Sequence, residues 1–308
     1  MFPGSDRMPG ADMAWDMAQD MDRGVFLLGV GGQKCGTSWL HDMLMRSAQV
    51  DMGFNKEYHI FDARTLPECV RFKNGPLKRY DRQVAAGTPP APGSKLWLRA
   101  HFLREPDTYY DYFAQRLAAP DIRLTGDITP SYSGLSTDTL AEIRDGMAAR
   151  GVPTKVVFLM RDPVERSWSA LRMSRRQTAL KNPGHVFKLS EFDQLRANYK
   201  EPNYELRANY AATLARLETV FDAGDIFVEF YETLFAQDVM DRFCAFAGID
   251  PIDADMDKQV NPSPKTSAIP EDIAEEMALH YAAIYRTLAD RFGADPLKSM
   301  WWSARFVL

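Results

Sequence analysis

A glycine-rich segment near the start of the chain carries the residue types that bind phosphate. The stretch GVGGQKCGTSW, residues 29–39, overlaps the end of an apolar run (VFLLGV, residues 25–30) and leads into a helical pattern. A strand, a glycine turn and a helix in this order direct backbone N–H groups and the positive end of the helix dipole at an anion. Lys34 adds a mobile cation, and Thr37 and Ser38 add hydroxyl donors. We predict a phosphate-binding loop; an ordinary glycine turn is the alternative.

The spacing of this loop departs from the Walker A motif, G-x-x-x-x-G-K-[ST]. Gly31, Gly36 and Ser38 occupy the glycine and hydroxyl positions, but Thr37 stands where the motif has its lysine. The only lysine of the loop is Lys34. The loop is therefore predicted to bind a phosphate-like group without serving a magnesium-dependent nucleotide hydrolase.

A second segment, RDPVERSWS at residues 161–169, follows the apolar run KVVFLM and begins another helical pattern. Ligands of open α/β sheets bind at the carboxyl ends of strands, so Arg161 and Ser169 can converge on one phosphate. The alternative is a helix N-cap, with Asp162 as the cap and Arg161 paired to a surface carboxylate. Taken alone, this segment favours the helix-cap interpretation.

A third segment, KEYHIF at residues 56–61, offers a general base. It brings a cation, a carboxylate and an imidazole together as Lys56, Glu57 and His59. A solvated turn with a salt bridge is the alternative interpretation. If Glu57 is not the base, His59 and His101 are the other candidates.

Taken together, the three segments resemble the PAPS-dependent sulfotransferase family (PAPS is 3′-phosphoadenosine 5′-phosphosulfate). GGQKCGTSW is similar to the family's 5′-phosphosulfate loop, PKxGTTxL, and RDPVERSWS to its 3′-phosphate motif, R-[ND]-P-x-x-R-x-x-S. KEYHIF, GDITPSY and FYETLF resemble the K-E-x-H-x-F, E-K-T-P-x-Y and y-E-x-L elements of the glycan and heparan branch. The resemblance extends from Gly24 to about Phe292 and suggests a soluble, bacterial-like member of this branch.

The resemblance implies an activity and a role for each site residue. It implies in-line transfer of the sulfuryl group of PAPS to an acceptor hydroxyl or amine, with release of 3′,5′-ADP and no metal ion. Lys34 would stabilise charge on the bridging oxygen, Glu57 would accept the proton, and Lys56 would lie near the sulfuryl group, with His59 as a further catalytic candidate. The implied contacts with PAPS are Gln33, Lys34, Cys35, Gly36, Thr37, Ser38, Trp39, Arg161, Ser169 and Lys265.

The chain departs from the branch in the segment GDITPSY. Asp127 and Ile128 stand where the branch has glutamate and a lysine that often faces the sugar, which weighs against a heparan-like acceptor. The acceptor can be a sugar, a lipid, a phenol or a small alcohol. Two other classes stay open: a P-loop kinase or NTPase, with Asp127 as the nearest Walker B candidate, and a nucleotide-binding module without catalysis.

Composition bounds the remaining properties. The chain has 308 residues, of which 45% are hydrophobic and 26% charged, and a net charge of −5 that does not favour nucleic acid. No apolar run is long enough to span a membrane, and the three scattered cysteines suggest neither disulfides nor a metal site, so we predict a cytoplasmic protein. Cys35 is expected to be a packing residue rather than a nucleophile, although its position at a helix start can lower the pKa of its thiol. The oligomeric state is open.

Alternating strand and helix patterns predict a P-loop-like α/β sandwich of three layers, with a mostly parallel sheet between helices. Residues 1–23 are predicted to be a disordered or loosely packed extension, and residues 24–308 a single domain. The predicted strands cover residues 25–30, 122–125, 155–160 and 226–230. The predicted helices cover residues 37–47, 164–176, 205–221, 234–247 and 273–292, and residues 83–95 and 250–270 are predicted loops.

Overall fold

A parallel sheet of four strands lies at the centre of the part of the chain that the structure describes. The computed structural model describes residues 24–258, 260 and 267–308. The predicted N-terminal extension, residues 1–23, and Lys265 lie outside these described residues. All strand pairs are parallel, and the strand order is β2-β1-β3-β4. The strands are β1 (Val25–Gly31), β2 (Leu124–Ile128), β3 (Thr154–Met160) and β4 (Ile226–Phe230).

Helices connect the strands and cover the sheet. None of the described helices is both long and apolar enough to cross a membrane. In chain order the helices are α1 (Thr37–Leu44), α2 (Phe61–Thr65), α3 (Arg71–Ala85), α4 (Lys95–Arg104), α5 (Pro106–Leu117), α6 (Thr137–Ala148), α7 (Pro163–Lys181), α8 (Glu191–Asn198), α9 (Pro202–Ala208), α10 (Tyr210–Val220), α11 (Gln237–Ala247), α12 (Glu271–His280), α13 (Ala282–Phe292) and α14 (Ala294–Met300).

The sheet is buried on both faces. Successive side chains of a strand point to opposite faces, so Phe26 and Leu28 of β1 lie in one apolar cluster and Leu27 in the other. The first cluster includes side chains of α5, α6, α7 and α10, and the second includes those of α1 and α11. These three layers confirm the predicted fold class, an α/β sandwich with a parallel central sheet.

The strand order brings the two predicted phosphate loops together. β1 pairs with β2 on one side and with β3 on the other, so connections from β1 and β3 leave the sheet at a topological switch point. Such a point opens a crevice at the carboxyl ends of the two strands. Gly31 at the end of β1 lies opposite Phe158 near the end of β3, and the N–H of Gly32 donates to the carbonyl of Leu159 at 2.5 Å. The loops after β1 and β3 are therefore neighbours.

Two long helices predicted from the sequence are broken in the structure. The predicted helix 205–221 forms α9 and α10, which are separated at Asn209, and the predicted helix 273–292 is interrupted at Tyr281. The side chain of Asn209 accepts a hydrogen bond from the N–H of Ala212 at 3.3 Å and caps α10. Such a side-chain bond replaces the helical one and favours a new helix start. The predicted strand 122–125 is shifted to Leu124–Ile128, where it pairs with β1.

Candidate active site

The loop between β1 and α1 presents unused backbone donors. Lys34 and Gly36 adopt left-handed φ angles of 69° and 94°. No side chain caps α1 at Gly36, and the N–H groups of Gly36, Thr37 and Ser38 have no hydrogen-bond acceptor within the described residues. The start of α1 therefore offers consecutive N–H donors together with the positive end of the helix dipole, which is the arrangement that binds an anion.

The segment after β3 contacts this loop directly. Arg161 donates from Nη1 to the carbonyl oxygen of Lys34 at 3.3 Å, and its guanidinium lies 4.1 Å from the ring centroid of Tyr231. Both features of the helix-cap interpretation are also present. Asp162 accepts from the N–H of Val164 at 2.9 Å, and Arg161 pairs with the carboxylate of Glu165 at 3.4 Å. The cap and the ion pair thus hold Arg161 against the glycine loop.

A single cavity of about 1290 Å³ joins the three segments singled out in the sequence. From the predicted site it is lined by Gln33, Lys34, Gly36, Thr37, Ser38, Trp39, Lys56, Glu57, His59, Arg161 and Ser169. Further residues of its wall include Arg71, Phe72, Ser131, Arg172, Arg176, Arg207 and Tyr231. The candidate anion loop, the candidate base and the Arg161/Ser169 pair therefore face one common space.

Lys34 lies in a strongly positive environment. Burial is the main cause that lowers its pKa to about 8, and the charges of Arg176, Arg161 and Arg172 lower it further. Both effects disfavour a protonated amine, because the ammonium loses hydration and faces like charges. An anion bound in this part of the cavity would stabilise the ammonium form and raise the pKa of Lys34. Cations from the loop and from α7 therefore converge on one region of the cavity.

The Lys56–Glu57–His59 cluster is held together by short polar contacts. Nζ of Lys56 donates to Oγ1 of Thr37 at 3.1 Å and to Oε1 of Glu57 at 2.8 Å, and Nε2 of His59 lies 3.3 Å from Oε2 of Glu57. Burial would raise the pKa of Glu57, but the hydrogen bond from His59 and the charge of Lys56 outweigh it, and the pKa falls to about 2. Lys56 thus links the anion loop to an ionised carboxylate.

His59 is held by a second carboxylate that sequence reasoning missed. Its Nδ1 lies 2.6 Å from Oδ2 of the fully buried Asp62, which also accepts from Ser131 at 2.5 Å, and its ring stacks on Phe72 with centroids 3.6 Å apart. Burial works against the charged imidazolium, but the two carboxylates outweigh this effect and raise the pKa of His59. The signal was present in the sequence, because Asp62 follows His59 by three residues at the start of a short helix.

Two further residues that the sequence singled out, Cys35 and His101, do not line the cavity. Cys35 is fully buried, where it lies 3.8 Å from the hydroxyl of Tyr210, and burial raises its thiol pKa to about 12. Cys35 is therefore a packing residue, as expected, and its pKa is not lowered, because desolvation of a thiolate outweighs the charges of Arg166 and Arg161. His101 stacks on Trp97 with centroids 3.7 Å apart and does not line the cavity, whereas Glu57 and His59 do.

The C-terminal segment holds the start of α7 in place. Asp162 is buried and accepts from the hydroxyl and the N–H of Ser303, and Tyr285 donates to the same carboxylate at 3.0 Å. Nε1 of Trp302 donates to Glu165 at 3.3 Å. Ser303 and Trp302 do not line the cavity. Through these hydrogen bonds they nevertheless fix Asp162 and Glu165, the two residues that hold Arg161 against the glycine loop.

Comparison with known proteins identifies the fold. No family model matches the chain, and no curated protein matches its sequence. The structure is similar to that of a sulfotransferase from Alicyclobacillus acidocaldarius, with a TM-score of 0.54 and 20% identity, over 86% of this chain and 94% of that one. It also matches the sulfotransferase domain of the Synechococcus PCC 7002 olefin synthase, with a TM-score of 0.44 and 17% identity, over 84% of this chain and 94% of that one. The chain thus has the fold of a solved sulfotransferase.

Proposed function

We propose that the protein is a PAPS-dependent sulfotransferase that transfers a sulfuryl group to an acceptor hydroxyl or amine and releases 3′,5′-ADP. One observation carries this proposal: the glycine loop, the Arg161/Ser169 pair and Glu57 line one continuous cavity. A nucleotide that carries both a 5′-phosphosulfate and a 3′-phosphate needs two separate anion sites and a base between donor and acceptor. The fold shared with a solved sulfotransferase supports the same interpretation.

The residues around the cavity fit the two ends of PAPS. The unpaired N–H groups of Gly36, Thr37 and Ser38 would bind the 5′-phosphosulfate, and Arg161 with Ser169 would bind the 3′-phosphate. When bound, PAPS supplies a sulfuryl group on a phosphate leaving group. Lys34 lines this part of the cavity and offers a preorganised cation for the negative charge that develops on the bridging oxygen.

Glu57 is the base that we assign. Its carboxylate is ionised at neutral pH, and it accepts hydrogen bonds from Lys56 and His59, which orient it. A carboxylate with a pKa of about 2 is a weak base. Because Lys56 also contacts Thr37 of the anion loop, an anion bound there competes with Glu57 for the ammonium group. Removing that partner raises the pKa of Glu57, so donor binding would make the base stronger.

The rival classes make different predictions about magnesium and turnover. The buried carboxylate of Asp127 accepts hydrogen bonds from Tyr109 and Tyr132 and does not line the cavity, which argues against a Walker B role. Thermal-shift titration with 3′,5′-ADP is expected to stabilise the protein equally with and without magnesium. Stabilisation only by magnesium with ATP would favour a kinase or NTPase. Binding of 3′,5′-ADP without transfer from labelled PAPS to any acceptor in a broad screen would favour a non-catalytic module.

Arg161→Ala should weaken binding of 3′,5′-ADP by roughly 10- to 100-fold, which is the range expected for losing a charge-assisted hydrogen bond. Binding of 5′-AMP should change far less, because 5′-AMP lacks the 3′-phosphate. Isothermal titration calorimetry with both nucleotides measures this difference. Arg175→Ala is the matched control, since Arg175 lies on α7, the helix that follows Arg161, but does not line the cavity. Equal losses for the two nucleotides would exclude the 3′-phosphate role.

The pKa of Lys34 predicts an alkaline limit on activity. Lys34 is charged below pH 8 and neutral above it, so kcat/KM for PAPS should be flat below pH 8 and fall about tenfold per unit above it. In Lys34→Arg the side chain stays charged throughout, so the alkaline limb should disappear even if the absolute rate is lower. If the alkaline limb stays at the same pH in Lys34→Arg, the group that titrates is not Lys34.

A further inference from the structure

Arg207 lies in the wall of the cavity and belongs to none of the motifs discussed above. It is in α9, is only 4% exposed, and donates from Nη1 to the backbone and side-chain oxygens of Asn203. Its Nε atom has no hydrogen-bond partner, and no carboxylate lies within ion-pair distance among the described residues. Arg207 is therefore a buried cation without a counter-charge.

The surroundings of Arg207 add positive charge. Burial is the main cause that lowers its pKa, and the charges of Arg166 and Arg71 lower it further, whereas Cys69 acts in the opposite direction. Arg166 is fully buried, two of its nitrogens have no partner, and within the described residues it forms no ion pair either. A guanidinium nevertheless stays protonated in proteins, and buried charges are normally paired because an unpaired one is strongly destabilising. Arg207, which lines the cavity, therefore gains a counter-charge when an anion enters it.

Arg207 lies on the side of the cavity that carries the candidate base. Arg207 and Asp62 both act electrostatically on Cys69, and Asp62 is hydrogen-bonded to His59, the partner of Glu57. Arg161, in turn, contacts the glycine loop and Tyr231. Arg207 is thus connected through Cys69 to the residues that hold His59, the partner of the candidate base.

We infer that the acceptor carries an oxyanion, either a carboxylate or a phosphate or sulfate ester, and that Arg207 binds it while the acceptor hydroxyl or amine faces Glu57. Arg71, which also lines the cavity and lies 4.7 Å from the ring centroid of Phe72, adds positive charge at the rim. Identifying the bound molecule as the acceptor rests on the proposed sulfotransferase function. The presence of an oxyanion site at Arg207 does not depend on it.

Calorimetry with small probes tests this site without knowledge of the natural acceptor. The protein is first saturated with 3′,5′-ADP, so that the nucleotide occupies its own anion sites, and is then titrated with benzoate, phenyl phosphate and neutral benzamide. The wild type should bind at least one of the two anions and should bind benzamide much more weakly. Whether benzoate or phenyl phosphate binds better distinguishes a carboxylate from an ester.

Arg207→Gln should weaken binding of the preferred anion by roughly 10- to 100-fold and leave the affinity for 3′,5′-ADP unchanged. Arg207→Lys, which keeps the charge but loses the planar fork, should have an intermediate effect and serves if the glutamine variant does not fold. Arg216→Gln is the matched control, because Arg216 is another partly buried arginine with an unpartnered Nε, but it does not line the cavity.

Three results would contradict an anion site at Arg207. The first is failure of both anions to bind the wild type, and the second is an equal loss of anion affinity in Arg216→Gln. The third is a weakened affinity of Arg207→Gln for 3′,5′-ADP, which would assign Arg207 to the nucleotide site. If the wild type does not bind 3′,5′-ADP at all, the proposed function fails. The anion titrations without nucleotide then still decide the role of Arg207.

Discussion

Lys34→Ala is expected to lower kcat by roughly 10²- to 10³-fold, the range for removing one preorganised group that stabilises transition-state charge. The affinity for 3′,5′-ADP should fall much less, because the N–H groups at the start of α1 and the Arg161/Ser169 pair remain. Single-turnover rates with labelled PAPS, together with calorimetry of 3′,5′-ADP, separate the two effects.

Lys155→Ala is the matched control for Lys34→Ala. Lys155 is also partly buried, but it lies at the opposite end of β3 from the cavity and donates to the carbonyl of Phe246. Its loss should leave kcat within about twofold of the wild type, as for most substitutions away from a site. An unchanged kcat in Lys34→Ala would remove Lys34 from the chemistry and leave Lys56 as the candidate cation.

Glu57→Gln should lower kcat by roughly 10²- to 10⁴-fold, the usual contribution of a general base. The amide keeps an oxygen that can accept from Lys56 but can no longer take a proton. The affinity for 3′,5′-ADP should stay nearly constant. In the free enzyme the pKa of Glu57 is about 2, so we expect no acidic limb from this residue in kcat/KM between pH 5 and pH 7.

Glu142→Gln controls for the loss of a paired carboxylate, since Glu142 pairs with Arg64 at 2.9 Å and does not line the cavity.

The His59→Gln variant tests whether His59 is the base or only positions Glu57. If His59 only orients Glu57, its loss should reduce kcat less than the loss of Glu57 does. An active Glu57→Gln variant combined with an inactive His59→Gln variant would reverse the two roles.

The part of the site that the sequence predicts is the part that the sheet itself positions. Lys34 and Arg161 follow two strongly apolar runs, and parallel strands end at the same edge of a sheet. Their proximity therefore followed from strand type alone, without knowledge of packing. The same argument brought Ser169 to the cavity, because it lies two turns into the helix after Arg161.

The residues that were missed depend on features that periodicity does not encode. Arg207 lies in a segment that was predicted as one continuous helix, and only the break at Asn209 reveals α9 as a separate element. The pKa of Cys35 depends on its complete burial against Tyr210, which is a tertiary contact between distant segments. Both features depend on packing between distant segments, which local sequence patterns do not predict.

The hydrogen bonds that Ser303 donates to Asp162 have a practical consequence for protein engineering. Deletion of residues 301–308 would remove hydrogen bonds from Asp162, a carboxylate whose burial already raises its pKa. Such a variant is expected to bind the nucleotide more weakly, although none of residues 301–308 lines the cavity. Loss of binding in a variant that lacks residues 301–308 should therefore not be mistaken for a defect in chemistry.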